Sequence, residues 1–105
     1  MAGYNVFLCD PEDIPGPPRR LKAKVYLRER PDDDNPGTER DLGKDPIEID
    51  VIPMGFNATD ITLQNAIDNA IATRHDGLVI SSADRDKGLR NLFISEAWRR
   101  LGNET

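Results

Sequence analysis

A single cysteine, Cys9, in 105 residues leaves no partner for an intramolecular disulfide and no multi-cysteine zinc site. A single histidine, His75, excludes a histidine-rich metal cluster and leaves few routes to general-base catalysis. No stretch approaches the ~20 consecutive apolar residues that a membrane-spanning helix needs. Residues 1–8 lack the basic segment that opens a secretory signal, so a reducing, cytoplasmic location is the expectation. There is no phosphate-binding glycine loop, no dinucleotide fingerprint and no G-x-S-x-G turn for a nucleophilic serine. No cofactor and no metal are therefore expected.

What is present is a charge inversion. Residues 19–30 hold six bases (Arg19, Arg20, Lys22, Lys24, Arg28, Arg30) against Glu29. Residues 31–50 hold eight acids (Asp32, Asp33, Asp34, Glu39, Asp41, Asp45, Glu48, Asp50) against Arg40 and Lys44. The whole chain is at −5 with pI near 4.8, which argues against nonspecific nucleic-acid binding, since phosphate affinity comes from many uncompensated bases. Adjacent blocks of opposite charge neutralise each other if the chain folds back, or face different partners if it does not.

The length fits one domain, residues 1–105, with one modest core. Residues 4–8 read as an N-terminal strand. Residues 10–18 contain Pro11, Pro15, Pro17 and Pro18 and read as a Pro-rich connector. Leu21, Ala23, Val25 and Leu27 alternate with polar neighbours, and Ile47, Ile49 and Val51 do the same, each series predicting a half-buried strand. Pairing Leu27 with Ile49 would set Arg28 against Glu48 and Tyr26 against Asp50, which makes the charge inversion a set of cross-strand pairs. Residues 31–46, between the two strands, read as a long acidic loop in which Leu42 is the one large aliphatic side chain.

Leu63, Ala66, Ile67, Ala70 and Ile71 have helical spacing; Thr59, Asp60 or Thr62 suits the start and Gly77 the left-handed stop. Leu78, Val79 and Ile80 followed by Ser81 and Ser82 predict a short buried strand, parallel to residues 47–53 through a right-handed crossover. Phe93, Ile94, Ala97, Trp98 and Leu101 predict the inner face of a last helix, with Leu92 turned away from it. The expected fold is α+β: a mixed sheet of three or four strands in a ββαβα core, an additional N-terminal strand, and two helices packed on the sheet. That order of elements is similar to the opening of the ubiquitin-like β-grasp.

Two sites compete. The first is a charge-complementary surface for another protein, made of Lys22, Lys24, Tyr26 and Arg28 on the basic strand and Asp32, Asp33, Asp34, Glu39 and Asp41 on the acidic loop. The basic row has one aromatic and acidic neighbours, which is poor material for stacking nucleic-acid bases. The second is a polar ligand edge, Asn57 and Thr59 facing Ser81, Ser82 and Asp84 across the ends of two parallel strands. The acidic run from Asp32 lacks the spacing of a calcium loop, since its twelfth position is Gly43. These features together favour a small non-enzymatic interaction module (an adaptor, a regulatory protein or an accessory of a phage or mobile element) over a small enzyme or ligand-binding protein.

Overall fold

The computed structural model describes residues 3–30, 40–54 and 59–94. Four strands precede two helices: β1 (Gly3–Ile14), β2 (Arg20–Arg30), β3 (Arg40–Asp41), β4 (Ile47–Val51), α1 (Ile61–Arg74) and α2 (Ser82–Ile94). The fold is α+β, and the sheet is antiparallel throughout. β2 is its centre: β1 pairs along one side, while β3 and β4 lie end to end along the other.

Alternation in β2 decides the layering. Leu21, Ala23, Val25 and Leu27 are buried with Val6 and Leu8 of β1 and Ile49 of β4, and both helices cover this face. α1 supplies Leu63, Ile67, Ala70 and Ile71 over β4 and β2; α2 supplies Leu89 and Leu92 over β1. Among the described residues, thirteen buried apolar side chains form one cluster, with Ile47, Val51, Leu42, Leu78 and Ile80 at its margin.

Several expectations are corrected. The N-terminal strand does not stop at Leu8. It runs to Ile14 through a bulge between Cys9 and Glu12, where Asp10 takes a positive φ of 54°, and the extra residue lets a Pro-containing segment stay in the ladder. β4 meets β2 four residues from the expected register: Ile49 lies opposite Ala23, Glu48 opposite Lys24 and Asp50 opposite Lys22. The shift is even, so every apolar side chain keeps its face while every charge pair changes. The second half of the expected loop is held: Asp41 pairs with Arg28 in β3, Leu42 packs on the core, and Lys44 Nζ donates to the Arg74 carbonyl at 3.1 Å.

The predicted strand at 78–82 is absent. Residues 78–80 are extended chain outside the sheet, and Ser81 caps α2, accepting from the Asp84 amide through Oγ (3.2 Å) and from the Arg85 amide through its carbonyl (3.1 Å). Among the described residues there is no parallel pair and no crossover, so the sheet is antiparallel rather than mixed. Among the described side chains of α2, Gly88, Leu89 and Leu92 face inward, and Leu92 is fully buried rather than turned away; the side chains of Phe93 and Ile94 are not among those described. Ala97, Trp98 and Leu101 lie outside the described residues.

α1 follows expectation closely. Asp60 caps it, accepting from the Thr62 amide at 2.9 Å. Its C-terminus closes as a Schellman turn: the Gly77 amide donates to the Ala72 carbonyl at 2.7 Å. Asp76, with φ 54°, takes the left-handed position expected of Gly77, which itself sits at 84°.

Gly88 sets the closeness of α2 to β1. A Cβ there lies 2.8 Å from Val6 Cγ1 and 2.9 Å from Val6 Cβ and Leu8 Cδ1. In an exposed helix, glycine to alanine gains up to about 1 kcal/mol. Here Gly88→Ala is expected to lose about 1–3 kcal/mol through overpacking against a stiff β-branched side chain. Urea denaturation reads the sign directly, and a stabilised Gly88→Ala protein refutes this helix–strand contact.

Candidate functional site

The face of the sheet opposite the helices has no described element covering it. β2 places Arg20, Lys22, Lys24, Tyr26 and Arg28 there, β4 adds Glu48 and Asp50, and β1 adds Phe7 and Cys9. Phe7 lies directly across from Tyr26, and their rings stack with centroids 4.9 Å apart and planes at 12°. Nothing local in the sequence announces this pair, because it depends on residues 4–8 pairing with residues 25–29; the signal for it is a hairpin through the Pro-rich turn.

Three bases of this face, Arg20, Lys22 and Lys24, are matched to acids on both sides. Arg20 Nε is 3.7 Å from Asp50, Lys22 Nζ 3.9 Å from Glu48, and Lys24 Nζ 3.6 Å from Asp10. All are substantially exposed, so each adds little to stability, but together they fix a pattern of alternating sign. Next to Lys24 sits Cys9, half-buried, with its thiol pKa raised by burial and by Asp10 and only partly offset by Lys24. It is a protonated, weakly reactive thiol at neutral pH.

Of the expected partner-binding residues, Lys22, Lys24, Tyr26 and Arg28 therefore share one surface, and Asp41 adjoins it opposite Arg28. Asp32, Asp33, Asp34 and Glu39 lie outside the described residues.

The expected ligand edge is not assembled as a crevice between parallel strands. Asn57 lies outside the described residues, and Thr59 is exposed beside the Asp60 cap. Ser81 and Ser82 start α2. Asp84 is buried and committed to the fold: it accepts from the Tyr4 amide at 3.2 Å and from Arg30 Nη2 at 3.1 Å, with Lys87 Nζ at 3.9 Å. One carboxylate thus ties α2 to the start of β1 and the end of β2.

A cleft of about 230 Å³ lies between α1 and residues 78–80, with Asp68 and Asn69 at its rim and Ile71, Ala72 and Leu78 among its lining. It is smaller than ordinary ligand pockets, and Asp68 is engaged by Arg85 at 3.0 Å. Among the described residues, no three His, Cys, Asp or Glu side chains are grouped to hold a metal ion, and no helix is long and apolar enough to cross a membrane. No family model, curated protein or solved structure matches the chain.

Two outcomes follow from this geometry. Asp84→Ala deprives the Tyr4 amide and the Arg30 guanidinium of a buried acceptor and is expected to cost about 1–3 kcal/mol in urea denaturation; an unchanged midpoint refutes the tie. His75 caps the end of α1, and burial, with Lys44 and Arg74 nearby, lowers its pKa against a smaller opposing effect of Asp76. As pH falls below ~6.5 the unfolded chain takes this proton first, so the stability present above that pH is lost on acidification. His75→Gln should reduce the fall in denaturation midpoint between pH 7 and 5; an equal fall in both proteins assigns it wholly to other groups.

Proposed function

We propose that this chain is a small non-enzymatic, cytoplasmic protein-interaction module, an adaptor, regulatory or mobile-element accessory protein, that recognises another protein through charge-complementary surfaces. The observation that carries this reading is the sheet face that no described element covers, on which a stacked aromatic pair is framed by rows of alternating charge. Aromatic anchors surrounded by polar and charged groups are the composition of protein interfaces. The interleaved acids favour protein over nucleic acid, because Asp10, Glu48 and Asp50 beside Arg20, Lys22 and Lys24 repel a phosphate backbone that carries one sign of charge throughout. The competing reading, an enzyme or ligand-binding protein at residues 55–59 and 81–84, finds less support: Ser81 and Asp84 are spent on capping α2 and joining it to the sheet.

The test begins with affinity capture of a partner from the source cell, followed by binding measurements with purified components. Tyr26→Ala and Lys22→Glu/Lys24→Glu are each expected to weaken binding about tenfold or more, and affinity should fall as salt screens the charge pairs at contact. Asn65→Ala, on the exposed side of α1, should leave binding unchanged. A partner insensitive to both face variants overturns the proposal.

A further inference from the structure

The two outer edges of the sheet are unequal. The Tyr4 amide points away from β2 to Asp84, so Tyr4 and Glu29 form a non-hydrogen-bonded pair, and the alternation of the ladder then turns Val6 and Leu8 outward as well. That edge is closed: Asp84 meets Tyr4, and Val6 and Leu8 are only 1% and 8% exposed beside α2. The same alternation makes Leu21, Ala23 and Val25 bond toward β4, so Ile47, Ile49 and Val51 answer them. The N–H and C=O groups of Glu48 and Asp50 consequently face away from β2. Both residues are exposed, and among the described residues no strand lies beyond them.

An open edge is a template for another strand, and side chains select which one. Glu48 and Asp50 form an acidic row on the uncovered face, with a basic row, Arg20 and Lys22, on their inner side. A second copy of β4 running antiparallel would set these acids against themselves, and like charges directly opposed oppose pairing. A basic row on the free side instead repeats the arrangement that β2 already provides. Ile52, directly after β4, is 56% exposed and extends the available edge beyond the strand itself.

We propose that the free edge of β4 accepts an extended basic segment of a partner protein, with alternate Lys or Arg side chains meeting Glu48 and Asp50. The inference deepens the interaction-module reading and rests on it; it adds the edge and the chemistry of the partner.

The test uses the whole chain, isotope-labelled, and a synthetic peptide with the sequence of residues 20–26, whose pattern beside β4 is already seen on the inner side. In the free chain, the Glu48 and Asp50 amides should exchange with solvent at least about tenfold faster than those of Ile47 and Ile49. Millimolar peptide should slow their exchange, whereas a peptide with Glu at its three basic positions should not. The variant Glu48→Gln/Asp50→Asn should lose this discrimination. Protection of Glu48 and Asp50 in the free monomer overturns the inference, since the chain then covers its own edge; protection that appears only with dimerisation in sedimentation overturns it in favour of a second copy. Peptide-induced shifts at Phe7, Lys24 and Tyr26 without any at Glu48 overturn the edge while leaving the module reading standing. No response at millimolar peptide, with the captured partner insensitive to Glu48→Gln/Asp50→Asn, refutes the edge alone, whereas insensitivity to the Tyr26 and Lys22/Lys24 variants refutes the module.

Discussion

Everything in this structure depends on the period of two in β2. All other strands pair with it, so its alternation of Leu21, Ala23, Val25 and Leu27 with Arg20, Lys22, Lys24, Tyr26 and Arg28 is imposed on the whole sheet. One face must be buried, and the helices supply the apolar surface to bury it. The other face must remain polar, and it collects the charges that the sequence holds in two opposed blocks. A shift of one residue in β2 exchanges the two faces, which is why the layering is firmly specified even though the pair register is not.

The helices are held to this sheet by different devices. α1 relies on apolar packing of Leu63, Ile67 and Ile71, with a self-contained cap at each end. α2 is joined by a close backbone approach at Gly88 and by the Asp84 carboxylate. At the third position of the helix, Asp84 also suits the positive end of the helix dipole. A buried acid here is structural, and its chemistry is used up by the Tyr4 amide and Arg30. The same residue read from sequence alone resembles a ligand group, because burial and partners are invisible there.

How much was legible follows from which signals are local. The half-buried alternation of β2 and β4, the helical spacing of α1 and a cap at Thr59, Asp60 or Thr62 were all readable, and the structure keeps them, with Asp60 as the cap. The register of β4 was not. Shifts by two or four residues leave the burial pattern unchanged; in the structure β3 occupies the far end of β2, opposite Arg28 and Glu29, and β4 pairs with residues 21–25. Residues 78–80 misled because a short apolar run is common to strands and to chain laid over a core, while Val79 is 88% exposed. A helix start was written nearby in Ser81-x-x-Asp84, an N-terminal capping pattern, and it outranks the apolar run. The open face was half legible: its charges stand in sequence, but Phe7 joins Tyr26 only when the Pro-rich segment is seen to turn the chain back on itself.

The fate of the charge inversion bears on how such a surface discriminates. Folding sets the basic row of β2 between Asp10 on one side and Glu48 and Asp50 on the other, so the face has little net charge despite its many ionised groups. A field of one sign would attract any counter-charged surface at long range. A face of alternating rows is nearly neutral beyond a Debye length, ~8–10 Å at ordinary ionic strength, and is strongly patterned only at contact. Recognition on these terms is decided by register: a partner whose charges repeat at the spacing of the rows gains at each one, and a partner displaced by one row meets like charge throughout. The alternation that specifies the layers of the fold thereby also specifies what this face accepts.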